Sequence, residues 1–517
     1  MKKTKRELLV LAAATTVALL MGVTVQAKGD EKVLNFGCQM YTDGCVNSAN
    51  DENSGWNAMR YGIAEALFKF DDNMEVIPWL AESYEVNDEH TEWTIKLKDG
   101  IKFSDGCDLT PTKVKEYFDH MKEVGPSGSA KPEKYLEFEA EVTVDDDANT
   151  INIKTSKPYA NLVGQLCHPT MGITDVEHIE NYDNGIIGTG PYKIESWDEG
   201  QAITLVKNED YFKGEPSIDK IVFKIVPDDN AKALQLKSGE LDLALLTPKD
   251  AAAFADDEAY TCYDMKTSDY RGIMFNFGNE YWQKNRDLIP AVCYGLDRQA
   301  IIDAVILGQG MPAYGPLQRN IYNYEDVEHY DYNPEKAKEI LEAAGCEMGD
   351  DGFYYRDGEK VGFVISVSAG DQVRIDMAQI AAQELKEIGM DVSVEIPAQT
   401  DWAGQMAFLI GWGSPFDADD HTYKVFGTDK GANYSGYSNA DVDKYLTEAR
   451  QSADSEVRAE AYANFQKALA EDPAYAMICY IDANYVADSN IKGIDSDTIM
   501  GHHGVGIFWN VADWTIE

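Results

Sequence analysis

No HExxH, no G-x-S-x-G, no P-loop and no helix-opening G-x-G-x-x-G occurs in the 517 residues. The hydrolytic, phosphate-handling and dinucleotide chemistries that those spacings serve therefore have no residues to run on. Cysteine is scarce too: eight residues, none in a CxxC pair, too sparse for a disulfide scaffold. Cys38 and Cys45 are near enough in sequence to bridge in an oxidising compartment. Basic residues are half as numerous as acidic ones, 45 against 90, for a net charge of −45. That field excludes nucleic acid and anionic membrane surfaces as partners, and it favours cationic ones or simply solubility.

Long apolar runs are also missing, with one exception. Lys2, Lys3, Lys5 and Arg6 precede an almost wholly apolar stretch, Leu8 to Val23, and Val25-Gln26-Ala27 supplies small residues. The pattern predicts a signal peptide over residues 1–27, removed on export. The alternative is a retained anchor, for which the apolar run is short. The first cysteine is Cys38, eleven residues past Ala27, so no lipid-bearing cysteine is expected at the cleavage site. Without residues 1–27, which hold four basic groups and one acid, the charge is about −48.

What remains is globular: 44% hydrophobic and 11% aromatic, too long for one core, so two or three domains are expected. Strand and helix signals alternate, which predicts a mixed α/β protein. "TEWTIKLKDGIKF" (91–103) alternates around Asp99-Gly100 and reads as a hairpin. "VTVDDDANTINIKT" (142–155) reads as another, and its acidic triplet lacks the Gly and Glu spacing of a calcium loop. "TPTKVKEYFDHMKEVG" (110–125) and "NPEKAKEILEAAG" (333–345) each have a cap, a proline at the first helical position and a closing glycine. Residues 375–396 read as a helix, a Gly389 stop and a strand. Residues 452–481 read as a long helix, a Pro473 break and a buried strand. "GTGPY" (188–192) is a turn before a strand. Paired carboxylates mean little among 90 acids.

Several phrases together resemble one family. "NMEVIPWLAESYEVNDEHTEWTIKLKDGIKFSDG" (73–106), "GTGPYKIESWDEGQAITLVKNEDYFKGEPSIDKIVFKIVPDDNAKALQLKSGELDLA" (188–244), "AVCYGLDRQAIIDAVILGQGMPAYGP" (291–316) and "YDYNPEKAKEILEAAG" (330–345) are similar to the extracytoplasmic solute-binding proteins of bacterial ABC importers, family 5, which bind dipeptides, oligopeptides or nickel. The resemblance implies a bilobal periplasmic-binding-protein type II clamp, a class of α/β protein, that closes on its ligand. Lobe I would span 33–265, with an inserted subdomain at about 78–185. Lobe II would span 266–487, and 488–517 would return to lobe I. It further implies a non-enzymatic, exported monomer, periplasmic or extracellular, that needs no cofactor and delivers its cargo to permease subunits.

The ligand question rests on "LIGWGSPFDADDHTYKVF" (409–426). Peptide-binding relatives place an aspartate three residues after the tryptophan, to meet the peptide amine. Pro415 stands there, and an ammonium buried without a counter-charge costs several kcal/mol. "WGSPFD" and "VIPWLA" (76–81) resemble the nickel-binding branch instead. By that resemblance Trp412 and Phe416 would pack a chelator, with Tyr135 opposite. His168 stands in "QLCHPTMG" near a place where an arginine is expected. His502 and His503 in "GHHGVGIF" fall near the cleft, and with His168 they are the candidate metal ligands. Trp56 and Arg60 in "NSGWNAMRYG" border the site, Arg60 supplying positive charge. Asp417 is the residue able to replace the missing aspartate for a peptide amine. Asp417, Asp419 and Asp420 otherwise brace the loop, and His421 follows an acidic run expected to be solvated. The expected cargo is a nickel-type chelate or metallophore. A short peptide is the alternative within the class, and a secreted metal-dependent hydrolase or a binder without a transporter are the alternatives outside it.

Overall fold

The computed structural model describes residues 31–38, 58–71, 75–124, 136, 138–177, 186–198, 200–413, 418–497 and 506–517. Strand β1 (Val33–Cys38) comes first, and a small antiparallel unit follows from β2 (Ala81–Val86), β3 (Glu92–Leu97), β4 (Glu141–Asp145) and β5 (Thr150–Lys154). Their order is β2-β3-β5-β4. In β3 exposed and buried residues alternate, with Trp93, Ile95 and Leu97 inward. Helix α1 (Pro111–Val124) lays Val114, Tyr117, Phe118 and Met121 on the same core. This is the i, i+3, i+4, i+7 stripe of an amphipathic helix. Each such aromatic contributes roughly 1.5–3 kcal/mol by leaving water. The short helix α2 (Leu162–Gln165) belongs to this core as well.

The chain then builds β6 (Tyr192–Asp198), β7 (Ala202–Lys207), β8 (Lys220–Ile225), β9 (Leu243–Leu246) and β10 (Tyr260–Met265). Gly188 and Gly190 are required before β6, because a Cβ there would lie 2.0 Å from the Ile63 carbonyl oxygen and 2.2 Å from that of Gly62. The chain next crosses to a second sheet: β11 (Tyr270–Phe275), β12 (Gly310–Pro312), β13 (Val364–Ser366), β14 (Ser393–Glu395), β15 (Ala407–Trp412) and β16 (Tyr475–Ile481). It returns with β17 (Ala483–Asp488). The first sheet has seven strands in the order β10-β17-β9-β1-β8-β7-β6, and the second has six in the order β12-β16-β11-β15-β13-β14. Strands β11 and β15, nearly all buried, are the centre of the second sheet.

Two crossovers join the sheets, at residues 266–269 and at Asp482. We propose that these crossovers divide the lobes. The second lies a few residues before the boundary expected at 487/488, because β17 already pairs with β9 and β10. The 91–103 hairpin does not form: β3 pairs with β2 and β5, which occupy both its edges, and the chain after Gly100 makes only an isolated bridge, Lys102 to Asp108. The 142–155 hairpin does form, with Asn149 in the left-handed region. Helix α3 (Pro334–Ala343) starts at its predicted cap, Asn333, whereas helix α4 (Gln372–Glu387) is capped by Asp371 and starts three residues before the expected 375. Three more helices cover the second sheet: α5 (Ala418–Phe426), α6 (Ala440–Gln451) and α7 (Ser455–Glu471). No helix among the described residues is long and apolar enough to cross a membrane. Residues 1–27 and Cys45 lie outside the described residues.

Candidate ligand-binding site

Strands β13 and β15 run parallel, so their carboxyl ends, Ser366 and Trp412, point to one edge of the second sheet. Helices α4 and α5 begin just beyond that edge. Strand β11 starts there and β16 ends there, since Tyr270 pairs with both Trp412 and Tyr480. Both crossovers therefore meet at the edge, which is where open α/β sheets bind ligands. A pocket lined by Ser268, Tyr270, Arg319, Gly413, His421 and Tyr480 opens beside it.

Trp412 is half-buried. Its indole Nε1 donates to the Tyr475 hydroxyl at 3.3 Å, which fixes the ring plane. The ring stacks on Tyr434 at 5.8 Å and 23° and meets the edge of His421 at 5.8 Å. Trp402 continues the row against Tyr434 at 4.9 Å. Tyr434 and Trp402 are 44% and 41% exposed, so the row offers an open aromatic shelf.

His168 is buried, 2% exposed. The Thr170 amide donates to its Nδ1 at 3.2 Å, so the proton of the neutral ring sits on Nε2. Nε2 faces Asp420 Oδ1 at 3.7 Å. Three residues earlier, Gln165 Nε2 donates to Asp419 Oδ2 at 3.2 Å. Asp419 also accepts from Arg450 Nε at 2.9 Å and Nη2 at 2.5 Å, and Asp420 pairs with Lys424 at 3.0 Å. Gln165 and His168 sit in the core of the small four-stranded unit, whereas α5 packs on the core of the second sheet. These contacts therefore join two separate cores. The acidic run is not solvated as expected: Asp419 and Asp420 are buried in the first turn of α5, where carboxylates are favoured by the helix dipole.

Of the residues singled out from sequence, Trp412 and His168 come to the same region, linked through His421 and Asp420. Arg60 is half-buried, next to Tyr61, whose ring packs on Phe223 at 4.0 Å. Trp56, Tyr135, Pro415, Phe416, Asp417, His502 and His503 lie outside the described residues. Sequence reasoning missed Tyr434 and Trp402 on the shelf, Arg319 at the crossovers, and Arg271 and Arg374 behind β15. A charged residue inside the apolar run "YRGIMF" was the available signal for Arg271.

Residues 75–434 match the model of the bacterial extracellular solute-binding proteins, family 5 Middle. The oligopeptide-binding protein AppA of Bacillus subtilis is 29% identical over 496 residues, covering 90% of this chain and 88% of its own. The crystal structure of NikZ from Campylobacter jejuni in complex with Ni(L-His) is similar with a TM-score of 0.85 at 28% identity, covering 93% of this chain and 99% of that one. The structure of AppA from Bacillus subtilis in complex with a nonapeptide gives a TM-score of 0.79 at 25% identity, over 94% and 99%.

Proposed function

The chain belongs to the bacterial extracellular solute-binding proteins of family 5, and from that premise we propose that its cargo is a small nickel-type chelate or metallophore. The coarser role follows from membership: it is the exported, non-enzymatic binding component of an ABC importer, with the mixed α/β fold of that class. Capture then works by closure of the two lobes over the carboxyl-end edge, which buries the ligand and presents one shape to the permease.

The observation behind the choice of cargo is the aromatic shelf of Trp412, Tyr434 and Trp402 next to His421, with a proline at the third position after Trp412. Flat aromatic faces suit a compact chelate, and a site without that aspartate lacks the partner of a peptide amine. NikZ, which is 28% identical and binds Ni(L-His), supports the reading. In this reading Phe416 extends the shelf and Tyr135 faces it. Trp56 and Arg60 border the site, and His502 and His503 complete the metal shell. His168 reaches a metal only by giving up its contact with Asp420. A short peptide is the second reading, supported by AppA with its nonapeptide, and Asp417 would then meet the amine.

Isothermal titration of metal-free protein separates the two. Nickel with free histidine should give saturable heat, and a panel of dipeptides to nonapeptides should not. Tight peptide binding with no metal-dependent heat overturns the chelate reading. Mass spectrometry of the ligand that co-purifies with native protein gives an independent answer.

A further inference from the structure

Beside the two crossovers, side chains from both sheets meet on one carboxylate. Asp264 lies on β10, just before the first crossover, and it pairs across the ladder with Asn484 on β17, just after the second. Opposed residues of an antiparallel pair share a face, and Asn484 Nδ2 donates to Asp264 Oδ1 at 3.0 Å. From the other sheet, Gln309 Nε2 donates to the same oxygen at 3.4 Å. Gln309 immediately precedes β12, and its backbone is held on both sides. Its amide donates to the Ile306 carbonyl at 2.9 Å. A Cβ on the next residue, Gly310, would lie 2.3 Å from the Tyr480 carbonyl oxygen, so the chain there runs hard against β16.

This arrangement strands two oxygens. Asn484 Oδ1 and Gln309 Oε1 are both buried with no hydrogen-bond partner among the described residues. Asn484 as a whole is 2% exposed, and buried polar atoms in such places are nearly always satisfied. A side-chain amide turned about its last bond exchanges oxygen for nitrogen with almost no change of shape. Turning both amides aims three oxygens at one point, which is repulsive unless a cation sits between them. The spacing suits one cation class. Oxygens held about 2.3–2.6 Å from calcium lie roughly 3.0–3.6 Å from their neighbours, against about 2.9 Å around magnesium. The amide nitrogens, whose places the oxygens would take, lie 3.0 and 3.4 Å from the carboxylate. Asp264 is exposed, so water can complete the shell, and a net charge of −45 gathers cations.

We propose that Asp264, Asn484 and Gln309 form a calcium-type cation site that joins the two sheets beside the crossovers. Asp264 supplies the charge, and Asn484 and Gln309 supply one amide oxygen from each sheet. With a single carboxylate the affinity belongs to the weak class used by extracellular modules, on the order of 0.1–1 mM, which suits an exported chain. The site is independent of what the cargo is.

The test uses the full exported chain, freed of co-purified ligand and treated with EDTA, as wild type, Asp264→Asn and Gln309→Leu. Calcium chloride and magnesium chloride are titrated by calorimetry and by thermal melting, at about 0.15 M salt to screen the acidic surface. Wild type should take up one calcium saturably and melt higher with it, and magnesium should bind at least tenfold more weakly. Calcium should bind at least tenfold more weakly to each variant and raise its melting temperature less. A crystal of wild type soaked in calcium should show the ion in contact with Asp264, Asn484 and Gln309. Equal uptake and equal thermal shift in wild type and Asp264→Asn would mean that the acidic surface binds the ion at large, and overturns the site. Wild-type affinity in Gln309→Leu overturns the joining of the sheets, and equal affinity for magnesium overturns the cation class. Should a variant melt lower than wild type without metal, the soaked wild-type crystal decides: no calcium on the three oxygens overturns the proposal.

Discussion

Glu65 is buried at the edge of the Trp79 indole and accepts three hydrogen bonds, from Trp79 Nε1 at 2.8 Å, Tyr211 at 2.7 Å and Thr189 at 3.1 Å. Three ammonium groups surround the same indole, Lys69 at 3.7 Å, Lys213 at 4.6 Å and Lys98 at 5.8 Å from its centre. The donors and Lys213 favour the carboxylate, but desolvation outweighs them and pushes Glu65 up to about 7. The folded chain thus holds this proton more tightly than the unfolded chain does. The resulting stabilisation is fully present below the ordinary value of 4.5 and is lost as pH rises through about 7. At about 1.4 kcal/mol per unit, the loss is of the order of 3 kcal/mol. Gln at this position keeps the acceptor for Trp79 and Tyr211 and cannot ionise. Urea unfolding of Glu65→Gln should therefore show a flatter pH profile than wild type between pH ~5 and ~8, with the variant gaining relative stability at the alkaline end. Parallel profiles would refute the assignment.

At the scale of elements, the start of α5 and the segment running from α2 to His168 act as a pair. Asp419 and Asp420 reach across to Gln165 and His168 from a different hydrophobic core. A contact of this kind stabilises the arrangement in which the two cores are together; if ligand capture works by closure as proposed above, it should strengthen binding by favouring the closed form. His168→Ala and Asp420→Ala should each weaken ligand affinity several-fold. Their combination should cost less than the sum, with a coupling of roughly 0.5–3 kcal/mol in a double-mutant cycle. Additive effects would show that the two side chains do not act on each other. None of this was legible in the sequence. Gln165 and Asp419 are 254 residues apart, and an acidic run gives no sign of its own burial. Local grammar was legible where it acts locally: Asn333 with Pro334 capped α3, and Gly389 stopped the helix before β14. The 91–103 hairpin was misread because alternation shows which face of a strand is buried but not its partner. Here the non-local β2 and β5 took both edges of β3. The overall plan of sheets and inserted unit came from family resemblance rather than from spacing. Trp412 was found that way.

For the whole molecule, everything that moves one sheet against the other must pass through two short crossovers, 266–269 and Asp482. They are tied together. Thr267 Oγ1 donates to the Ile481 carbonyl at 2.5 Å, and the Ile481 amide donates to the Asp269 carbonyl at 3.0 Å. Arg319, from the loop after β12, joins both: its Nη1 donates to the Thr267 carbonyl at 2.7 Å and to Asp482 Oδ1 at 2.6 Å. The guanidinium is mostly buried against Tyr480, so the pair is shielded from the screening that weakens surface bridges. Two strands bolted at one point bend as a unit, and the sheets then have one principal axis of opening rather than two independent linkers. Arg319→Met keeps the packing against Tyr480 and removes both bonds. The variant should sample wider openings when ligand-free, seen as a larger radius of gyration in small-angle scattering. Its apparent ligand Kd should rise about tenfold, because the competent arrangement is populated less. Saturating ligand should return the scattering profile to that of wild type, since the Thr267–Ile481 and Ile481–Asp269 hydrogen bonds still tie the crossovers together. An unchanged radius together with an unchanged Kd would show that Arg319 braces the loop after β12 and takes no part in coupling the sheets.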